Sequence, residues 1–322
     1  MVSVLFIIES PFQCLCMLEA IDYFKVNSYD VLIPEKGIGL TNEQLRRLLK
    51  NEGIKFGTYD IKHAVYGLVP YFLHNHKHYD NIFVGNYYSP SLEAMAAFFG
   101  GWKYSLFFLD DGTQALSLFS NHPRYRFSNK KWEYVFKLFF AIGKIKRSKR
   151  QSFFTIFDVN SERFNIVKND FVRLKAIRKK NQGGVYIIGT NSSILHFCDY
   201  SYWDILNHLL IWLKNRYPHE TVFYCPHRRD LNNEENARWC RRNNIGWFET
   251  NVSVEYDFVL NGYVPLCVVG FTSNALYTLK MIYPECEVKT VLYHVTPQYD
   301  DEETILIRHE MGRKGIDTIS VI

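Results

Sequence analysis

Two kinds of apolar run alternate along the chain. Short, nearly continuous blocks such as "VSVLFII" (residues 2–8), "YDVLI" (29–33), "YDNIFVGN" (79–86) and "KYSLFFLD" (103–110) are separated by helix-length stretches, one from about Pro11 to Phe24, one around "LTNEQLRRLLK" and one after "SPSLEAMAAFF". Strands that are hydrophobic on both faces and alternate with helices predict an α/β domain with a parallel sheet. The alternation lapses over residues 121–182, which carry basic and aromatic groups without strand-like periodicity, among them "GKIKRSKR" (143–150) and "RLKAIRKKNQGG" (173–184). A second α/β series then begins at "GVYIIGTNSS" and continues through "SYWDILNHLLIWLKNRYP", "TVFYCPHRR", "NEENARWCRRN", "YDFVL", "LCVVGFTSNALYTLKMIYP" and "KTVLYHV".

The expected organisation is two Rossmann-like domains. Residues 1–182 form the first, with the basic and aromatic insertion, and 183–322 the second, joined near "KKNQGG". Room is left for the extreme C-terminus to pack back on the first domain. Ligands of open α/β sheets bind outside the carboxyl ends of the strands, so two such domains predict a cleft between them.

Composition narrows the function classes. With 47% hydrophobic and 16% aromatic residues in 322, the chain can build ordinary packed cores. A net charge of +5, from 38 Lys and Arg against 33 Asp and Glu, is too mild for a nucleic-acid coat and suits a small anionic ligand or an anionic membrane surface. The N-terminal apolar run has no basic region before it and breaks at Glu9, Ser10 and Pro11, so it reads as a buried strand and not as a signal peptide. Seven scattered cysteines with no CxxC pair suggest small buried hydrophobes in a reducing cytoplasm, with no metal site among them.

The polar groups that follow the predicted strands carry the candidate chemistry. In "ESPFQ", Ser10 caps a helix with Pro11 in its first turn, leaving Gln13 near the helix start. In "FFLDDGTQAL", Asp110 and Asp111 stand before Gly112. Adjacent side chains at a strand end point opposite ways, so one carboxylate faces the cleft and the other supports the turn, which favours a single general base over a metal pair. "GNYYSP" places Asn86, Tyr87 and Tyr88 at another strand end, suited either to sugar contacts or to packing. "GTNSS" offers Gly189, Thr190, Asn191 and Ser192 at a strand-to-helix turn fit for an anion, without the spacing of a dinucleotide or P-loop motif. "YCPHRRD" groups His227, Arg228 and Arg229, a set that a phosphate would balance. Thr272 and Ser273 precede a helix and serve either as a simple cap or as a phosphate cup.

Taken in order, these motifs resemble the bacterial sialyltransferases of the two-domain GT-B type, including polysialyltransferase-like capsule and lipooligosaccharide enzymes. That family has an acidic-acidic-glycine motif in the first domain, a histidine-proline motif in the second and a serine/threonine pair further on, matched here by Asp110, Asp111 and Gly112, by His227 beside Pro226, and by Thr272 with Ser273. Glu255 in "NVSVEYDF" resembles the family glutamate that binds the nucleotide ribose. The chain departs in reading Pro226 then His227, and the hydroxyl pair has an alternative register at Ser273 and Asn274.

The resemblance implies two parallel sheets facing a central cleft and an inverting, metal-independent transfer of sialic acid or a related nonulosonic acid from its CMP donor to a glycan hydroxyl. Asp111 would take the acceptor proton, His227 would protonate or hydrogen-bond the departing CMP phosphate, and Thr272 and Ser273 would hold its oxygens. No cofactor is implied. The basic and aromatic stretch at 132–150 either rests on the inner leaflet or forms a solvated helix. The rival readings are a GT-B transferase with another nucleotide sugar and a nucleic-acid-binding module; the second lacks a stacking platform.

Overall fold

The computed structural model describes residues 2–35, 39–60, 77–119, 141–148, 151–178, 181–192, 200–228, 230–261, 263–292 and 302–320. The chain divides into two compact units, Met1–Arg173 and Leu174–Ile322.

The first unit holds a seven-stranded, all-parallel sheet in the order β3-β2-β1-β4-β5-β6-β7. Its strands are β1 (Val4–Ile7), β2 (Tyr29–Glu35), β3 (Gly57–Asp60), β4 (Tyr79–Val84), β5 (Gly100–Leu109), β6 (Gln151–Thr155) and β7 (Phe164–Lys168). The helices are α1 (Pro11–Tyr23), α2 (Gly39–Asn51), α3 (Pro90–Phe99) and α4 (Gln114–Phe119), with α5 (Val172–Ile177) spanning the division. Strand order reverses beside β1: the chain runs outward to β2 and β3, then returns to β4 on the other side.

A row of rings fixes the register there. Phe6, Phe83 and Phe107 are direct partners on β1, β4 and β5, and they stack with centroids 4.7 and 4.4 Å apart. Each such pair contributes about 0.5–1.5 kcal/mol beyond its buried area, and together they align the carboxyl ends of three neighbouring strands.

The second unit holds a six-stranded parallel sheet in the order β10-β9-β8-β11-β12-β13, made of β8 (Asn181–Ile188), β9 (Val222–Cys225), β10 (Gly246–Trp247), β11 (Tyr263–Gly270), β12 (Glu287–Val291) and β13 (Asp317–Ile319). Its helices are α6 (Tyr202–Arg216), α7 (Asn233–Arg242), α8 (Val254–Asn261), α9 (Asn274–Ile282) and α10 (Glu302–Arg313). The capping box formed by Ser201 and Asp204 starts α6, whose Ile205, Leu206, Leu209 and Leu213 pack on Val185, Ile187, Val222 and Val269 of the sheet. Here the order reverses between β8 and β11.

Two expectations are corrected. Residues 121–182 contain strands after all: β6 and β7 extend the first sheet, and Phe153, Phe154 and Phe164 are buried, so "QSFFT" and "RFNIV" pack as strands despite their weak alternation. The segment "NQGG" is no linker either, because Asn181, Gln182 and Gly183 pair with Tyr263, Val264 and Pro265 of β11. The division between units accordingly falls earlier than 182/183, within α5. The C-terminal strand β13 joins the second sheet through β12, with Lys289 and Asp317 in a 2.6 Å ion pair.

Candidate functional site

In the first unit the carboxyl ends of β1, β4 and β5 bring Gln13, Asn86 and Asp111 together. Ser10 caps α1 and accepts a hydrogen bond from the Gln13 backbone at 3.2 Å; with Pro11 in the first turn this sets the direction in which the Gln13 side chain leaves the helix. That side chain is buried. Its Oε1 accepts from the Glu9 backbone at 2.6 Å, which orients Nε2 to donate to Asp111 Oδ1 at 2.7 Å. Asn86, just beyond β4, accepts from the Tyr88 backbone through Oδ1 at 2.8 Å and donates through Nδ2 to Asp111 Oδ2 at 2.8 Å. One partly exposed carboxylate is thus held by an amide on each oxygen, and both amides are locked from behind by backbone groups. Gly112 follows at φ +71°, a left-handed turn that a side chain would strain.

Asp110 points the other way and is wholly inaccessible. Its Oδ2 accepts from the Ile156 backbone at 2.6 Å, just past β6, while Oδ1 makes no hydrogen bond of good geometry among the described residues. Burial pushes its pKa up to about 7, against the opposing influence of the Ile156 and Thr155 hydrogen bonds and of Lys168. Asp110 fastens the turn that presents Asp111 to the end of β6. Beside Asp111, Tyr87, Tyr88, Leu109, Ala115, Leu118 and Phe153 line a small pocket.

In the second unit the predicted groups collect around the reversal between β8 and β11. Gly189, Thr190 and Asn191 follow β8, His227 and Arg228 follow β9, and Thr272 and Ser273 follow β11. Gly189 admits no side chain, since a Cβ there would lie 2.5 Å from the Tyr224 hydroxyl. Ser273 is the N-cap of α9, accepting from Ala275 N at 3.3 Å, and the buried Thr272 Oγ1 and Asn274 Oδ1 beside it have no hydrogen-bond partner in the described structure. Glu255 lies buried in the first turn of α8; burial raises its pKa, and hydrogen bonds from its own backbone and Ser253, then the Arg228 charge, oppose that. Arg229 lies outside the described residues.

The arrangement also contains groups that the sequence motifs did not single out. Buried Asp230 gathers Ser192, Asn232 and Asn236. The buried hydroxyls of Tyr202 and Tyr224 pair at 2.7 Å beneath Gly189. The only sequence signal for Asp230 is its place in "DLNN" just ahead of α7, which reads as an ordinary helix start.

Of the basic stretch at 144–150, Lys146 donates to Ala97 O and Phe98 O, and Arg147 pairs with Glu93 at 2.6 Å, so these two charges serve the fold of the first unit. The preceding "WEYVFKLFF" and residues 149–150 lie outside the described residues. Among the described residues no helix is long and apolar enough to cross a membrane, and no group of three or more His, Cys, Asp or Glu is placed to hold a metal ion.

No protein-family model and no curated protein matches the chain. Solved structures do. The UDP-GlcNAc 2-epimerase from Neisseria meningitidis bound to UDP-GlcNAc matches over 90% of this chain and 82% of its own, at 12% identity and a TM-score of 0.52. The spinosyn rhamnosyltransferase SpnG complexed with thymidine diphosphate matches over 99% and 86%, at 9% identity and 0.51. The Methanocaldococcus jannaschii UDP-GlcNAc 2-epimerase in complex with UDP-GlcNAc and UDP matches over 99% and 89%, at 10% identity and 0.50. Together with the two parallel sheets, these similarities establish the GT-B type of fold, with two Rossmann-like domains.

Proposed function

We propose that this protein is an inverting glycosyltransferase that moves sialic acid or a related nonulosonic acid from a CMP donor to a hydroxyl of a bacterial surface glycan, without a metal ion. The observation that carries the reading is the Asp111 carboxylate, held on both oxygens by the amides of Gln13 and Asn86 at the strand-order reversal of the first sheet. A base must be oriented before it can take a proton in flight, and two fixed donors orient it.

In this reading Asp111 takes the acceptor proton as the acceptor oxygen attacks the anomeric carbon. The bond from that carbon to the donor phosphate breaks, and its electron pair leaves on CMP. His227 protonates or hydrogen-bonds the departing phosphate, while Thr272, Ser273 and the α9 amides hold its oxygens. The turn at Gly189, Thr190 and Asn191 and the residue Arg228 both follow carboxyl ends of strands in the second sheet, where they would meet the donor, and Glu255 takes the ribose. Ser10 and Gly112 act by shaping the turns that hold Gln13 and Asp111. The buried thiols of Cys14, Cys16, Cys225, Cys240, Cys267 and Cys286 suit a reducing cytoplasm, and a glycan acceptor carried on lipid would bring the protein to the inner face of the membrane.

A second reading, a UDP or dTDP sugar as the donor, is favoured by the nucleotides bound in the similar structures. Thermal stabilisation by CMP, UDP, dTDP, GDP and ADP in EDTA separates the two. A shift selective for CMP supports the proposal and leads to transfer assays with CMP-activated sialic, pseudaminic and legionaminic acids. Selectivity for UDP or dTDP rejects the CMP donor, and turnover of a UDP-sugar with no acceptor present points to epimerisation instead.

A further inference from the structure

Asp230 stands at the crossing of the two polar turns in the second unit. Its buried carboxylate accepts from Ser192 Oγ at 3.0 and 3.2 Å, from Asn236 Nδ2 at 2.9 Å and from the Asn232 backbone at 3.2 Å, and Asn232 Nδ2 in turn donates to Ser192 Oγ at 3.0 Å. Its own backbone N–H donates to the His227 carbonyl at 2.9 Å. One residue therefore grips the turn after β8, through Ser192, and the turn after β9, through His227, while anchoring both to the first turns of α7.

A carboxylate suits this place better than an amide. Three donors converge on it from different directions, and an asparagine offers one oxygen to receive them and adds two N–H groups facing the donors of Asn236 and Asn232. Tyr202 and Tyr224 pack beneath the same turn at Gly189, so the turn has a rigid floor on one side and Asp230 on the other. Donors that converge on one buried carboxylate from several directions favour one geometry, although Asn236 Oδ1 itself has no partner among the described residues.

We infer that Asp230 is a positioning residue for nucleotide binding: it sets the distance between the Gly189–Ser192 turn and His227, and with it the grip of the second unit on the phosphates of a nucleotide-linked sugar. This rests on the donor-site reading above. No role as proton donor or acceptor in the transfer is assigned to Asp230.

The test uses the full chain with Asp230→Asn and, as a milder change that keeps the carboxylate, Ser192→Ala. Two quantities are read: the affinity for CMP by calorimetry, and the His227 imidazole signals by NMR in the absence of nucleotide. Asp230→Asn should weaken CMP about tenfold to a hundredfold, as expected for a lost charge-assisted hydrogen bond, and should move the His227 signals. Ser192→Ala should weaken CMP less, in the same direction. If a folded Asp230→Asn chain binds CMP as the parent does and leaves His227 unmoved, the inference fails. Should Asp230→Asn not fold, Ser192→Ala decides by the same two readouts. If the parent chain binds no CMP, the donor reading fails by itself, and the His227 signals still decide whether Asp230 positions that residue.

Discussion

The carboxyl ends of the two sheets have the same topology and opposite chemistry. In the first unit an acidic side chain is presented outward, Asp111, and amides are spent on orienting it. In the second unit the acidic side chain that follows β9, Asp230, is buried and holds turns, while hydroxyls, a histidine and an arginine also follow the strand ends. Strand order decides where a site forms in each; which group faces outward decides whether that site removes a proton or receives an anion. The proposed transfer would use both kinds of group, a base for the acceptor proton and an anion site for the leaving phosphate.

The largest test of this contrast is Asp111→Asn. If Asp111 is the base as proposed, transfer should fall by about 10²–10⁴-fold, the usual worth of general base catalysis, with CMP affinity by calorimetry within twofold. Comparable loss of CMP affinity in a folded variant would mean that the two units do not divide the work as argued. His227→Ala should lower both turnover and CMP affinity, each by about tenfold or more, which initial rates over a donor titration resolve into kcat and KM.

Gln13→Ala comes next. It removes a donor from Asp111 and leaves the Glu9 N–H without its acceptor, so kcat should fall by about tenfold while the donor KM holds. A larger fall in donor affinity than in kcat would contradict its assignment to the first unit's chemistry.

The smallest effect separates Asp110 from Asp111. Its acid constant in the folded chain, about 7, lies above the ordinary 3.8, so folding favours its protonated form. The resulting stability is complete below about pH 3.8, declines as pH rises and is lost once pH passes about 7. Asp110→Asn should remove that decline: the difference in denaturant midpoint between variant and parent should grow in the variant's favour from pH 5 to pH 7.5 and then level off. A difference that does not change with pH would show that Asp110 does not titrate in this range.

Much of this was legible along the chain. The continuous apolar runs at 2–8, 79–84 and 184–188 are strands because a parallel sheet buries both faces, and "ESPFQ" reads as a capped helix start because Ser10 and Pro11 have local roles that no distant contact need supply. The opposite fates of Asp110 and Asp111 follow from the pleat alone. Harder were "QSFFT" and "FNIVK", whose strand character comes from Phe153 and Phe164 packing against Phe108 and not from their own periodicity. The pair "GG" at 183–184 reads as a linker, yet it lies in the middle of a ladder whose partner, β11, is some eighty residues away.

What the sequence by itself determined is therefore the class of fold, the approximate place of each strand end and the kinds of chemical group found there, since periodicity, capping and pleat direction act over a few residues. Only the tertiary structure decided which groups meet. Gln13, Asn86 and Asp111 are brought together because parallel pairing sets β1, β4 and β5 side by side. Asp230 becomes a buried hub because β8 and β9 do the same for the turns that follow them. The physical reason is range: hydrogen bonds between side chains 98 residues apart, such as Gln13 to Asp111, have no local signature and exist only once the sheet has fixed its register.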